Sequence, residues 1–338
     1  MALFGIGLDT GFNGAVTGIR DAGRLLAQAR NADHDGLDVV TLTDHPYSPA
    51  QIDAYATLGF VLGATTRVTG VSTVTNLPCR PDPMLAKMAS GLSDLSGGRF
   101  ALGVGAGVFW DEIAKLGVER RTPGEAVRLL EESITLVKLL TGGGEPVTFD
   151  GEFYRVEDLP PSDAPTPPIW SGSIGPRSLA VTGRLADAWV PGAAQDWRSK
   201  LVATSRSVID EAAAEAGRDP AEIATIYNVL GRITDAPLAT GDVAAGSSTG
   251  SSLDELLAAS VRDPRAPAET TRGADGTWVG GSVEQWVEEL TTAVTDHGAG
   301  GFVFFPVADT PEEAEEARAR WTREIAPAVR EATGGTPA

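Results

Sequence analysis

The stretch DVVTLTDHPY, residues 38–47, decides how the chain is read. Val39 to Leu42 is a short apolar run of the length and β-branched character of a buried strand. It stops abruptly at Thr43-Asp44-His45-Pro46, and that histidine is one of only three in the chain. Runs of the same kind recur at 4–8, 67–73, 100–104, 168–172, 186–190, 225–230 and 301–305, which with 38–43 makes eight. Between them the apolar period changes to that of a helix: Ala22, Leu25, Leu26 and Ala29; Val127, Leu130, Ile134 and Val137; Val283, Trp286, Leu290 and Ala293. Thr122-Pro-Gly-Glu125, Ser282-Val-Glu-Gln285 and Thr310-Pro-Glu-Glu313 have the spacing of capping boxes at helix starts. Strands alternating with helices imply parallel β/α units. A count of eight favours one closed (β/α)8 TIM barrel, an α/β fold, over an open doubly wound sheet.

The expected domain is single and spans 1–330, with 331–338 as a frayed tail. Two segments interrupt the alternation. Residues 142–168 carry a hairpin signal around Asp150-Gly151 and then a proline-rich linker. Residues 235–281 are rich in Gly, Ser, Thr and Ala, with only SLDELLAASV reading as helix. Following strand seven on the C-terminal rim, this second insertion reads equally as a lid or as a disordered surface insertion.

Acidic residues outnumber basic ones 46 to 27, a net charge of −19, which argues against nucleic acid or an anionic membrane as partner. A small anionic ligand is still compatible, because backbone amides bind phosphate whatever the net charge. The single cysteine, Cys79, excludes an internal disulfide and a cysteine-based metal cluster, and suits a reducing cytoplasm. No metal-binding spacing, P-loop or G-x-S-x-G elbow is present, no signal peptide is read, and no run is long enough to cross a membrane.

In such a barrel the working groups lie where strands end. Those positions are Asp9-Thr10, Asp44-His45, Ser72-Thr73-Val74-Thr75-Asn76, Gly105-Ala106-Gly107, Ser171 to Pro176, and Phe305-Pro306. Histidine can donate or accept a proton near neutrality, so His45 is the candidate acid/base. Asp44 would point to the opposite face of a strand; the bland alternative is a capping aspartate beside a partly exposed histidine. Ser173-Ile174-Gly175, followed by a helix start with Arg177 or Arg184, forms a candidate phosphate turn. GVGAG at 103–107 lacks the full dinucleotide fingerprint. Trp110 and Trp170, at strand ends, are candidate pocket walls. His34 and His297 end helices, and Cys79 has no partner histidine that would make it a nucleophile.

Taken jointly, DVVTLTDH, TNLPCRPDPMLAKMASGLSDLSGGRFALGVGAG and PPIWSGSIGPRSLAVTGRLADAW resemble the luciferase-like family of flavin- and deazaflavin-dependent oxidoreductases. The match covers roughly residues 4–192 and, more loosely, 282–325. The resemblance implies a TIM barrel enzyme that transfers hydride between coenzyme F420 and a small organic substrate. Asp44-His45 is the form common in F420-using members, whereas Glu-His is common in flavin monooxygenases. The runner-up is an FMN-dependent monooxygenase, and the alternative of another class is a non-catalytic flavin- or deazaflavin-binding relative. By the same matching, Ser72, Thr73, Val74, Asn76, Gly105 and Gly107 would lie along the cofactor, with a cis bond at Ser72-Thr73. Ser173, Ile174, Gly175 and Arg177 would take its phosphate, and His45, oriented by Asp44, would sit near the ring and the substrate. Asp9, Trp110, Trp170 and Asp111 would border the substrate. Sugar-phosphate dehydrogenases of the family carry a glutamate where this chain has Val108, which weakens that reading; Asp111 and Glu112 are the nearest carboxylates. Family members are often homodimers, and PMLAKMASGLSDL is the candidate contact helix.

Overall fold

In the computed structural model of the chain the described residues are 1–8, 22–49, 51–192, 196–240, 269–273 and 276–334. The element order is β1 (Leu3–Gly7), α1 (Ala22–His34), β2 (Val39–Leu42), α2 (Ala54–Gly63), β3 (Thr69–Ser72), β4 (Thr75–Asn76), α3 (Asp82–Ser96), β5 (Phe100–Gly105), α4 (Trp110–Ala114) and α5 (Pro123–Leu139). It continues with β6 (Val147–Asp150), β7 (Arg155–Leu159), β8 (Ile169–Ser171), α6 (Pro176–Leu185), β9 (Ala188–Trp189), α7 (Lys200–Glu215) and β10 (Ala224–Ile233). The chain ends with β11 (Gly280–Gly281), α8 (Val283–His297), β12 (Gly301–Pro306), α9 (Pro311–Arg320) and α10 (Ala326–Ala332).

Eight of these strands close a ring, every pair parallel. Gly5 of β1 lies opposite Val39, Thr41 of β2 opposite Val71, Val71 of β3 opposite Ala101, and Gly103 of β5 opposite Trp170. Trp170 of β8 lies opposite Ala188, Ala188 of β9 opposite Ala224, Asn228 of β10 opposite Val303, and Val303 of β12 returns to Gly5. The open doubly wound alternative is thereby excluded, and each of the eight expected runs contributes a barrel strand.

Strand alternation divides the core into two shells. Val39, Val71, Ala101, Trp170, Ala188, Val190, Ile226 and Val303 fill the barrel interior. Phe4, Ile6, Val40, Leu42, Phe100, Leu102, Trp189, Tyr227, Phe302 and Phe304 face outward onto the helices. Near-continuous apolar runs are what strands buried on both faces require.

Two expected capping boxes form in full, Thr122 with Glu125 and Ser282 with Gln285. The third is half made: Thr310 accepts from the Glu313 amide, but the Glu313 carboxylate turns to the amide of Asp309. The hairpin forms as β6–β7, and Glu132 of α5 accepts the amides of Glu152, Phe153 and Tyr154 beside its turn. Residues 241–268, 274–275 and 335–338 lie outside the described residues, and with them most of the 235–281 insertion, its expected helix and the tip of the tail. The described ends of the insertion are tied down. β11 pairs with β10, and buried Arg272 reaches Asp196 and Glu289.

Asp82, in the first turn of α3, is fully buried against α5. Burial, then the charge of Glu132, pushes its carboxyl up to about 7, against a partial opposing effect from Ser133. An unfolded aspartate titrates near 3.9. Between those values the folded protein holds a proton the unfolded chain has lost, so stability falls as pH rises through the window. Asp82→Asn, which keeps the shape without the charge, is expected to raise Tm more at pH 8 than at pH 5.5 in thermal melts. Equal shifts at both pH values would show that Asp82 does not titrate there.

Candidate active site

The end of β2 sends its two chemically interesting residues in opposite directions, as strand geometry requires. Asp44 is buried on the outer side, where Arg80 grips both carboxylate oxygens at 2.6 and 2.9 Å and the Asn76 amide donates to one of them at 3.1 Å. Arg80 also bonds Asp53, the N-cap of α2, at 2.7 Å and lies over the Tyr55 ring, 4.6 Å from its centroid. Burial alone would lower the Arg80 pKa, but the two carboxylates reverse this and hold it above its ordinary value. The Tyr55 hydroxyl meets Thr75 at 2.7 Å, Thr75 donates to Ser72, and Ser72 donates to the Gly103 carbonyl. One polar chain thus ties the ends of β2, β3, β4 and β5 together.

His45 occupies the other side. Its Nδ1 is 2.6 Å from the Tyr47 hydroxyl, and Phe109, from the loop after β5, stands edge-on at 5.8 Å. Gln51 accepts the His45 amide and donates to Thr43, holding the turn. Burial lowers the His45 pKa to about 4, outweighing the upward pull of Asp44. The imidazole is therefore neutral across the physiological range.

Beyond β3 a cis peptide joins Thr73 to Val74. The expected position, Ser72-Thr73, is thus one bond too early: Ser72 still belongs to the parallel ladder opposite Leu42, and the chain departs only after it. Val74 is turned onto three glycines. A Cβ on Gly105 would lie 2.6 Å from Val74, one on Gly172 at 3.1 Å, and one on Gly103 at 1.9 Å from the Ser72 carbonyl oxygen. Gly103 and Gly105 of GVGAG and Gly172 of SGS thus admit the chain at the end of strand three. Gly107, at φ +87°, abuts Pro78 of the turn that precedes Arg80.

Ser173 is buried, its hydroxyl paired with that of Ser171 and its carbonyl receiving the Trp189 indole. Ser173-Ile174-Gly175 leads directly into α6, whose first amides have no intrahelical acceptor. Arg177 is exposed in that first turn and extends toward Gly124 at the start of α5.

The strand pairings place His45, Thr73-Val74, Asn76, Gly105 and the Ser173 turn on neighbouring strands at one rim. The other candidates lie at different depths. Trp170 faces the barrel interior, Asp111 is at the surface in an ion pair with Arg120, and Trp110 starts α4, half-buried. Asp9 lies outside the described residues. Cys79 is half-buried, its thiol pushed up to about 11 by burial and then by Asp44, which suits no nucleophile. At the strand-three turn and in the barrel interior, the side-chain oxygens of Thr41, Thr73, Asn76 and Asn228 are buried without a hydrogen-bond partner. Thr41 and Asn228 share a strand face with Val39 and Ile226, hence the barrel interior. Such oxygens are costly unless something supplies a donor.

A parallel barrel with a neutral histidine, unsatisfied oxygens and an open helix start at its C-terminal mouth belongs to the class that binds its ligand between strand ends. The chain is a member of the luciferase-like monooxygenase family, whose model matches residues 3–237. Among curated relatives, it is 28% identical over 302 residues to the F420-dependent hydroxymycolic acid dehydrogenase of Mycobacterium tuberculosis, covering 85% of this chain and 80% of that protein. It is 30% identical over 210 residues to the F420-dependent glucose-6-phosphate dehydrogenase of Microbacterium testaceum, covering 59% of this chain and 60% of that protein. Among solved structures, an F420-dependent secondary alcohol dehydrogenase superposes with a TM-score of 0.73 at 20% identity, over 97% of this chain and 99% of that one. A riboflavin lyase superposes with a TM-score of 0.77 at 15% identity, over 100% of this chain and 93% of that one. These two likenesses establish the barrel. Among the described residues no helix is long and apolar enough to cross a membrane, and no group of His, Cys, Asp or Glu is arranged to hold a metal.

Arg80→Ala leaves the Asp44 carboxylate buried and unneutralised. Loss of one partner of such a pair is expected to cost about 3–5 kcal/mol in urea denaturation. A loss no larger than that of an exposed ion pair, about 0–1 kcal/mol, would contradict the clasp.

Proposed function

We propose that the chain is an oxidoreductase that moves hydride between coenzyme F420 and a small organic substrate, at the rim between β2, β3, β5 and β8. The observation that carries this reading is His45, neutral and braced, beside a strand-three turn whose Thr73 and Asn76 oxygens await donors. The residues fit the cofactor. Thr73, Val74, Asn76, Gly105 and Gly107 would lie along its ring system, and Ser173, Ile174 and Gly175 with the first turn of α6 and Arg177 would take its phosphate. When bound, it supplies the two-electron redox chemistry. The protein binds, orients and excludes water, and His45 holds the hydrogen bond to the substrate's oxygen. Asp44 acts through position: its carboxylate faces Arg80, so it fixes the strand end that bears His45 and takes no part at the reacting atoms. Relatives named as dehydrogenases and ketoreductases support an alcohol or ketone as the substrate class. Val108 in place of a carboxylate counts against a sugar phosphate.

The second reading, an FMN-dependent monooxygenase, is favoured by the family's own description and by structural neighbours that are monooxygenases. A homodimer through α3 is part of the proposal: Met84 and Leu95 are exposed there, with Phe60 exposed on α2. So is a cytoplasmic location, which the single cysteine favours.

Fluorescence quenching with F420, FMN and FAD separately is expected to give tight binding to F420 alone. Preferential binding of FMN, or rapid reoxidation of the reduced holoenzyme by oxygen, would move the assignment to the monooxygenase. His45→Ala is expected to lower kcat by about 10²-fold or more while the Kd for F420 changes little. Unchanged turnover would remove His45 from the chemistry.

A further inference from the structure

His45 and Tyr47 stand two residues apart, joined by a turn in which the Ser48 amide donates to the His45 carbonyl. Phe109 packs edge-on against both rings, at 5.8 and 6.3 Å. A phenol and a neutral imidazole at 2.6 Å can share a hydrogen in two ways. Either the hydroxyl donates to an unprotonated Nδ1, or an Nδ1–H donates to the phenolic oxygen. A neutral phenol is a better donor than an imidazole N–H, and its oxygen a poorer acceptor than an unprotonated imidazole nitrogen, so the first arrangement is the stronger bond.

The surroundings favour the same choice. Burial, then Cys79 and the carboxylates of Asp44 and Glu112, raises the Tyr47 pKa above its ordinary value, so the phenol keeps its hydrogen. Of the charged groups around the pair, Asp44 on β2 is already neutralised by Arg80 from the turn before α3. Glu112 on α4 is taken up by Lys115.

We propose that Tyr47 is a positioning residue whose hydroxyl donates to His45 Nδ1 and fixes the imidazole as the tautomer with its hydrogen on Nε2. This rests on the reading of His45 as the group that meets the substrate's oxygen, and it narrows that reading. Nε2 is a hydrogen-bond donor, not a base. A donor suits an oxygen that gains negative charge between carbonyl and alkoxide. It offers nothing to a protonated amine. The substrate class is accordingly a ketone or an aldehyde, met by its carbonyl oxygen; an alcohol, whose hydroxyl proton needs a base, is not served by this tautomer.

The full chain has three histidines, so two-bond ¹H–¹⁵N spectra of labelled protein resolve every imidazole, and His45→Asn identifies the signal of interest. The wild type is expected to show Nδ1 of His45 in the unprotonated range and Nε2 in the protonated range, unchanged from pH 8 to pH 5.5. Tyr47→Phe, which keeps the ring against Phe109, is expected to shift both nitrogens toward values intermediate between the two ranges, as for a mixture of tautomers. A dominant Nδ1–H form in the wild type, or identical spectra for the variant, overturns the proposal. No cofactor is added, so the result is independent of whether F420 binds.

Discussion

A carboxylate taken out of water at the end of a strand must be neutralised, and at Asp44 the whole rim is organised around that requirement. Arg80 meets it with two parallel bonds, the geometry that a planar guanidinium makes best. Because Arg80 also grips Asp53 and stacks on Tyr55, neutralising one charge fixes the start of α2, the turn before α3 and the ends of β2 to β5 in one move. The same pair decides the electrostatics on the other face. With its charge matched by Arg80, Asp44 cannot hold a proton on His45 against burial, and the histidine settles at about 4. A residue that sequence pairs with His45 thus serves it from behind.

Much of the barrel was legible because its physics is local. Apolar runs five to seven residues long, separated by stretches of 3.6 period, leave few architectures once eight are counted. The chain closes the ring with Val303 opposite Gly5, as that count implies. Ends were less legible. The run at 186–190 shortens to Ala188–Trp189, and the strand expected at 225–230 lengthens to Ala224–Ile233, because β11 adds a partner at its far end. The Thr310 box is half made because a glutamate one turn in can serve either of two neighbouring amides, and pattern alone does not say which.

Within the site, what could be read was what lay on a strand end. His45, Val74 and the Ser173 turn, candidates from position, lie on neighbouring strand ends at one rim. Arg80 was missed because its partner is 36 residues away, and no spacing rule links a strand-end aspartate to a cation after a later turn. The signal was present in weaker form, since a buried aspartate demands a cation and Cys79-Arg80 follows the next strand. Tyr47 and Phe109 were missed because aromatic residues in loops resemble filler until a histidine is seen between them. Asn228 and Thr41 lie inside apolar runs, where a single polar residue reads as noise; only the unpaired oxygens reveal them. Gly105 was read only toward a ligand; the close approach of Val74 makes a second demand for glycine there, which no sequence pattern announces.

The remaining tension is between a protein of net charge −19 and a site proposed to take a phosphate. Charges spread over a surface this size act through salt water, where their influence decays over about 8 Å at physiological ionic strength. The start of α6 acts at contact distance: amides without intrahelical acceptors, the positive end of a ten-residue helix and the exposed Arg177 converge there. Carboxylates at the neighbouring start of α5 are also engaged. Glu125 is turned back onto Thr122, and Glu152 onto Arg128. Local donors therefore outweigh the global field at the turn itself. The acidic remainder slows the approach of any anion from a distance, so ionic strength should act chiefly on the rate of binding, with a smaller effect on how tightly the bound group is held.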